Sequence, residues 1–427
     1  MLTPGDLIEA AIERPAAGGR MIARHEGQIL LVAGAIPGER ASVRIDRVEK
    51  RLAFATAIQI HEPSADRRDP GADPLCGGCV YAHIAYPRQV VLKAQIIADA
   101  FTRIGHIPIA APVHVAPSPE TGYRMKARLH AARHSVGFYR EQTHEICDPR
   151  QTRQLTIASL DAIEAAVSAL GEAGADVEAL ELSENLPGDQ RALHFDVLAD
   201  ARSLEPALAR AVTAAGLTGC TARGRAGPPV RIGEPAVADS LRTLTRDRAA
   251  RGELRRQPTS FFQANRFLLP DVVAAVLDQV PSGGSVLDLY AGVGLFSVSL
   301  AAAGREAITA VEGDRSSAAD LVENAAAFSS AIRPIVGRVE DVGWQPQNAG
   351  TIIVDPPRTG ISREAMDTIA RLGASRIIYV SCDPPTMARD ARRLLDAGYQ
   401  LQSLQGFDLF PNTAHVESVG VFLAGGR

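Results

Sequence analysis

No uninterrupted apolar run in the chain approaches the length of a membrane-crossing helix, which argues against a helical integral membrane protein. Its opening residues, Met1-Leu2-Thr3-Pro4-Gly5-Asp6, lack the basic-then-apolar pattern of an export signal, so a cytoplasmic location is expected. Cysteine is scarce: Cys76, Cys79, Cys147, Cys220 and Cys382 make an odd set of five. That speaks against a disulfide framework and leaves catalysis, metal binding or packing as their roles. Excess positive charge is missing too. A net charge of −4 and a pI near 6.2 exclude the basic body of a bulk nucleic-acid binder, although local patches can still bind phosphate.

The 427 residues, 46% of them hydrophobic, suffice for two or three domains with real cores. The first sixty residues alternate with period two. Val43 with Ile45, and Leu52, Phe54, Thr56, Ile58 and Ile60, fall on single strand faces, and Gly18-Gly19 and Pro37-Gly38 mark turns. Several short strands in so few residues predict a small β-barrel of the oligonucleotide-binding type over 1–62. Residues 64–74 read as a linker. A central mixed α+β domain is expected over 63–257, with helices at 88–105 and 155–170 and strands at 127–130 and 194–198. From 258 to 427 the pattern becomes strand, tight turn, helix, repeated. Near-continuous apolar strands such as Val286-Leu287-Asp288-Leu289 and Thr351-Ile352-Ile353-Val354 predict a parallel sheet covered on both faces, a doubly wound Rossmann-like α/β domain.

The turn Asp288-Leu289-Tyr290-Ala291-Gly292-Val293-Gly294 follows the first of those strands and opens a helix. Gly292 and Gly294 allow a sharp bend and a close ligand approach. Glu312 ends the next strand, where an acid usually holds the ribose hydroxyls of an adenosine ligand. The third glycine of dinucleotide-binding turns is lacking, because Ser297 fills its place, and Asp288 would repel a phosphate. A phosphate-free adenosine ligand fits better, S-adenosylmethionine being the common one. The turn Asp355-Pro356-Pro357-Arg358 follows a later strand, and its prolines stiffen the backbone that carries Asp355. Amino-group methyltransferases usually put a base-stacking aromatic after such a turn; Arg358 stands there instead. Finally, Cys382 sits where Arg376-Ile377-Ile378-Tyr379-Val380-Ser381 breaks into Asp383-Pro384-Pro385, a strand end at which ligands of open α/β sheets bind.

With Ser260-Phe261-Phe262-Gln263-Ala264-Asn265 and Phe407-Asp408-Leu409-Phe410-Pro411-Asn412-Thr413-Ala414-His415-Val416-Glu417, these motifs resemble the uracil-5-carbon RNA methyltransferases, members acting on 23S ribosomal RNA most of all. The N-terminal barrel resembles the TRAM domain of that family. The resemblance implies a thiolate, Cys382, that adds to carbon 6 of uracil, and a general base, Glu417, that removes the carbon 5 proton. It implies S-adenosylmethionine held by Gln263, Tyr290, Glu312 and Asp355, with Asp288 fixing the turn and Asn324 and Asp341 mainly structural. It further implies structured RNA as partner, ribosomal before transfer RNA, with the uridine flipped from its stack; no membrane or obligate protein partner is inferred. A class apart would be an RNA-binding or folding factor with dispensable methylation. Tyr123, Arg124, Lys126 and Arg128, and the six arginines against two acids of 242–256, are the expected backbone contacts.

Many relatives also hold a four-iron four-sulfur cluster on four cysteines. This chain keeps Cys76-Gly77-Gly78-Cys79, has no cysteine at Asp69, Pro70 or Asp73, and has Thr152 at the downstream position with Cys147 five residues earlier. Three readings follow: no cluster, a labile cluster on Cys76, Cys79, Cys147 and a non-cysteine ligand, or another metal such as zinc. A remnant of a cluster site is the favoured expectation. Cys220 is expected to be merely packed.

Overall fold

Five short strands close on themselves at the N-terminus of the computed structural model, which describes residues 2–132, 135–141, 143–249, 251–344 and 349–425. They are β1 (Leu7–Pro15), β2 (Met21–His25), β3 (Gln28–Ala33), β4 (Arg40–Val48) and β5 (Leu52–Glu62), in the order β1-β2-β3-β5-β4. Closure leaves no exposed strand edge. Val43 and Ile45 fill the barrel as their alternation requires, but β5 is turned the other way: Ala53 and Ala55 are inside, and Phe54 and Ile58 face out. Ile12, Met21, Leu30 and Val32 also fill the interior, and β5 adds small side chains beside them. Phe54 is covered from outside by the Arg47 guanidinium, 4.2 Å from its ring centroid.

Two elements follow, α1 (Tyr86–Arg103) and β6 (His114–Ala116). Pro87 in the first turn suits a helix start, and Leu92, Ile96, Ile97, Ala100 and Phe101 recur on one buried stripe. That stripe also carries two polar residues, Gln89 and Lys93, both fully buried.

The central sheet comprises β7 (Lys126–Ala132), β8 (Ser135–Tyr139), β9 (Ile146–Cys147), β10 (Val177–Glu184), β11 (Arg191–Val197), β12 (Gly219–Gly224) and β13 (Val230–Gly233), ordered β13-β12-β11-β10-β7-β8-β9. Its apolar residues pack with those of α2 (Ile157–Leu170) and α3 (Glu205–Ala214) in one core. Thr156 caps α2 by accepting from the Ser159 N–H at 3.0 Å. A ribbon of β14 (Val237–Ser240) and β15 (Glu253–Arg256), with α4 (Leu241–Leu244) between, then leads into the last domain.

That domain alternates α5 (Leu269–Leu277), β16 (Val286–Leu289), α6 (Leu295–Ala302), β17 (Ile308–Glu312), α7 (Arg315–Ala326), β18 (Ile332–Val336), β19 (Thr351–Val354), α8 (Arg363–Leu372), β20 (Arg376–Ser381), α9 (Pro384–Asp396), β21 (Tyr399–Phe407) and β22 (Glu417–Ala424). The sheet order is β18-β17-β16-β19-β20-β22-β21-β6, with the first five strands parallel. Successive strand residues feed opposite cores. Val286, Ile353 and Ile378 join one, and Leu287, Ile352 and Ile377 the other, which is why the strands read as continuous apolar runs.

Residues 63–257 do not form one unit. β6 pairs in parallel with β21, α1 packs on α9, and Leu241, Leu244 and Leu254 join the core of the C-terminal domain. A three-residue strand has no periodicity of its own to announce such a long-range pairing. Among the described residues no helix is long and apolar enough to cross a membrane.

Candidate active site

The strand order reverses between β16 and β19, and at such a point the chain leaves in opposite directions and opens a crevice beyond the carboxyl ends of the strands. A cleft of about 920 Å3 lies there, lined by Gln263, Tyr290, Gly292, Glu312, Asp355, Arg358, Phe410, Cys382 and Glu417 among others. All six residues expected to hold the cofactor or do the chemistry are thus brought together from six separate stretches of chain.

The glycine turn is built for curvature. Gly292 and Gly294 have φ of +57° and +92°, and Tyr290 between strand and turn is also left-handed at +63°. A Cβ on Gly294 would come within 2.9 Å of Leu321 and Val298, so packing as well as conformation demands glycine there. Buried Asp288 accepts from the Ser297 N–H at 3.0 Å and so ties the turn to α6. Glu312 accepts from the Gly292 N–H at 2.7 Å and the Asp314 N–H at 2.6 Å, spanning the turns after β16 and β17. Burial, with Asp288 close by, pushes the Asp355 carboxyl up to about 7; Gln263 donates to it at 3.4 Å and opposes the shift. Burial, opposed by the hydrogen bonds from Ser297 and helped by the Glu312 charge, lifts Asp288 to about 7 as well. Three acids around a cleft favour a cation over a phosphate. Asn324 bonds to the backbone of Arg255 and Val293 and is structural.

Cys382 lies between the end of β20 and the start of α9. Asp383 caps that helix by accepting from Thr386 N–H at 2.8 Å, and Pro384 opens it, which fixes the thiol beside the helix N-terminus. Burial, then the negative charge of Glu417, pushes the thiol up to about 11; the Arg358 guanidinium beside it pulls the other way. Arg358 had drawn notice in the sequence only as a missing aromatic, and its function as a cation beside the thiol could not be read from the turn alone. Glu417, the first residue of β22, is 1% exposed, and its Oε1 has no hydrogen-bond partner. Burial and neighbouring Asp355 hold its carboxyl well above the usual carboxylate range. A buried carboxylate oxygen left unpaired is unfavourable by about 1–3 kcal/mol or more, and such strain concentrates at reactive sites.

The Cys-Gly-Gly-Cys segment is different. The sulfurs of Cys76 and Cys147 are bonded to each other, with Cα atoms 5.9 Å apart, because β9 lays Cys147 beside the loop. Cys76 and Cys147 thus pair with each other rather than gathering round a metal with Cys79, a single disulfide in a chain whose odd cysteine count speaks against a disulfide framework. Cys79 is free and buried, its thiol pushed up to about 11 by burial and then by Asp73. Thr152 donates to Pro149 O at 2.8 Å, and Gln154 fills the space over Gly78 and donates to Gly77 O at 2.9 Å. Among the described residues no group of three or more His, Cys, Asp or Glu side chains is arranged to hold a metal, and a cluster does not fit. Cys220 is packed in the central core as expected.

Many side chains of the two basic runs are engaged within the protein. Tyr123 is wholly buried, and Lys126 bonds to Glu181 and to Pro258 O. Arg128 is spanned by Glu181 and Asp196. In the second run Arg242, Arg246 and Arg248 pair with Asp247, Asp271 and Asp278, and fully buried Arg256 pairs with Asp239. Removing either partner of that last pair would cost about 3–5 kcal/mol, so its role is structural. Arg246, Arg248 and Arg256 find their acids outside the run, at Asp271, Asp278 and Asp239, which the linear sequence does not announce.

Comparison with known proteins identifies the family. The family model described as tRNA (Uracil-5-)-methyltransferase matches residues 243–425, and that of the TRAM domain matches 2–58. A 23S rRNA (uracil(1939)-C(5))-methyltransferase of Methylococcus capsulatus is 32% identical over 98% of this chain and 97% of its own. An uncharacterised RNA methyltransferase of Thermosynechococcus vestitus is 29% identical over 98% of both chains. The crystal structure of the Pyrococcus abyssi tRNA (uracil-54, C5)-methyltransferase superposes with a TM-score of 0.75 at 23% identity, covering 97% of this chain and 99% of that one, and so shares the fold. With its TRAM barrel, its doubly wound domain and a relative above 30% identity along its whole length, the chain belongs to the RNA uracil-5-methyltransferase family.

Proposed function

We propose that this enzyme forms 5-methyluridine in 23S ribosomal RNA, with S-adenosylmethionine as methyl donor, Cys382 as nucleophile and Glu417 as base. The observation that carries the reading is the pairing, in one cleft, of a thiol at a helix N-terminus with a buried carboxylate whose oxygen is unpartnered. Ribosomal RNA is favoured by the names of full-length relatives, among them those of Methylococcus capsulatus and Alcanivorax borkumensis.

Carbon 5 of uracil is a weak nucleophile. The Cys382 thiolate adds to carbon 6, and the electrons of the carbon 5–carbon 6 double bond pass to the carbon 4 oxygen as an enolate. The helix N-terminus and Arg358 favour the thiolate that burial opposes. The donor's sulfonium, when bound, supplies an electrophilic methyl group for carbon 5. Glu417 then takes the proton left on carbon 5, the double bond re-forms, and Cys382 leaves as thiolate. Glu312 would accept from ribose hydroxyls with its remaining lone pairs, Gln263 and Tyr290 would flank the adenosine, and Asp355 would face the cationic sulfur.

Mass-spectrometric mapping of modified uridines tests the substrate. RNA from cells lacking the protein should lose one 5-methyluridine in the large-subunit ribosomal RNA and regain it on treatment with purified enzyme. Loss from transfer RNA instead would overturn the ribosomal assignment.

A further inference from the structure

The loop 408–416 joins β21 to β22 and delivers two residues to the cleft, Phe410 within it and Glu417 at its end. Its bend depends on Asn412, a non-glycine residue at φ +64°. Such a conformation persists only where the surroundings fix it, and here they come from outside the catalytic sheet. Gln89 reads Asn412 twice, its Oε1 accepting from the backbone N–H at 2.8 Å and its Nε2 donating to the side-chain Oδ1 at 2.9 Å. Arg68 donates to the same Oδ1 at 2.8 Å, and the Tyr81 N–H donates to Asn412 O at 2.8 Å. Lys93, one turn along α1 from Gln89, ion-pairs with Asp408 and donates to Phe410 O at 2.9 Å.

Both Lys93 and Asp408 are fully buried. A buried ion pair is poor stabilisation, since apolar residues of like size often do as well; its use is to fix one register. A shift of the loop by one residue would leave Lys93, Asp408 and the Gln89 Oε1 unpaired inside the protein, although Gln89 Nε2 would keep its bonds to Tyr81 O and Ile84 O. We propose that Gln89 and Lys93 are positioning residues that hold the 408–416 loop so that the Glu417 carboxylate meets the carbon 5 proton. The clamp thereby makes release of the product depend on α1, outside the matched methyltransferase region. This rests on the covalent reading above.

The test uses full-length enzyme with Gln89→Leu, and with Asn412→Gly as a second variant that keeps the backbone conformation and its N–H bond to Gln89 Oε1 but removes the Oδ1 contacts to Gln89 Nε2 and Arg68. Trapping on RNA bearing 5-fluorouridine, with S-adenosylmethionine, reports thiol addition and methyl transfer; a covalent adduct on ordinary RNA reports slow release. We expect trapping within about threefold of the unaltered enzyme, turnover down by about tenfold or more, and a methylated adduct that the unaltered enzyme does not accumulate. Equal loss in both halves, or no change in either, would overturn the clamp. If Gln89→Leu does not fold, judged by its melting curve, Asn412→Gly decides. Failure of the unaltered enzyme to trap at all would instead overturn the covalent reading, and the clamp with it.

Discussion

Cysteines occur in two settings in this molecule, and the contrast between them locates the chemistry. In the Cys-Gly-Gly-Cys region, Cys76 is bonded to Cys147, Cys79 is sealed beside an acid, and Gln154 fills the space above Gly78. At Cys382 the thiol opens onto a cleft, stands at a helix N-terminus, and has a cation and an unpartnered carboxylate for neighbours. The first region carries the more conspicuous motif, but the second has the reactive surroundings. A thiol gains function from the charges and space around it, and residue spacing alone does not supply them.

The sharpest way to break this contrast is to remove the second thiol. Cys382→Ala should abolish detectable methylation while leaving the melting temperature near that of the unaltered protein, since the side chain is only half-buried. Glu417→Gln should lower turnover by about 10²–10⁴-fold and let methylated adduct build up on ordinary RNA, read by denaturing gel and mass spectrometry. Next comes pH. Because the Cys382 thiol is raised to about 11 and Glu417 is raised too, both deprotonated forms grow as pH rises. Turnover should therefore increase between pH 6.5 and 9, by up to about tenfold per unit, and a profile that falls over that window would contradict the assigned roles. Arg358→Ala should raise the thiol further, slowing trapping at neutral pH and recovering part of the rate at higher pH.

The first region should respond in the opposite manner. Cys76→Ser with Cys147→Ser should leave methylation within about threefold yet destabilise the protein by about 2–4 kcal/mol in the absence of reductant, read as a lower melting temperature. Iron should be far below one atom per chain in protein purified without oxygen; stoichiometric iron with acid-labile sulfide would show that the Cys76–Cys147 pairing is displaced by a cluster.

Local chemistry was legible in the sequence to the extent that it was local. The apolar runs of β16, β19 and β20, the glycine turn and the strand-end position of Cys382 follow from periodicity and turn residues within a few positions. What required long-range pairing was not legible. Nothing near Lys93 announces Asp408, nothing near Arg256 announces Asp239, and nothing near Cys76 announces Cys147. β6 joins a sheet whose next strand lies almost three hundred residues onward, so the 63–257 segment could not be seen to divide. On β5 the alternation is legible, but which face turns inward depends on the Ile12, Met21 and Leu30 side chains that share the barrel interior.

The central claim is that Cys382 becomes covalently attached to carbon 6 of a uridine. Enzyme incubated with S-adenosylmethionine and RNA bearing 5-fluorouridine should give a complex that survives denaturation, with the nucleotide mapped to Cys382 by peptide mass spectrometry. A complex that forms equally well with Cys382→Ala, or attachment at any other residue, would contradict it.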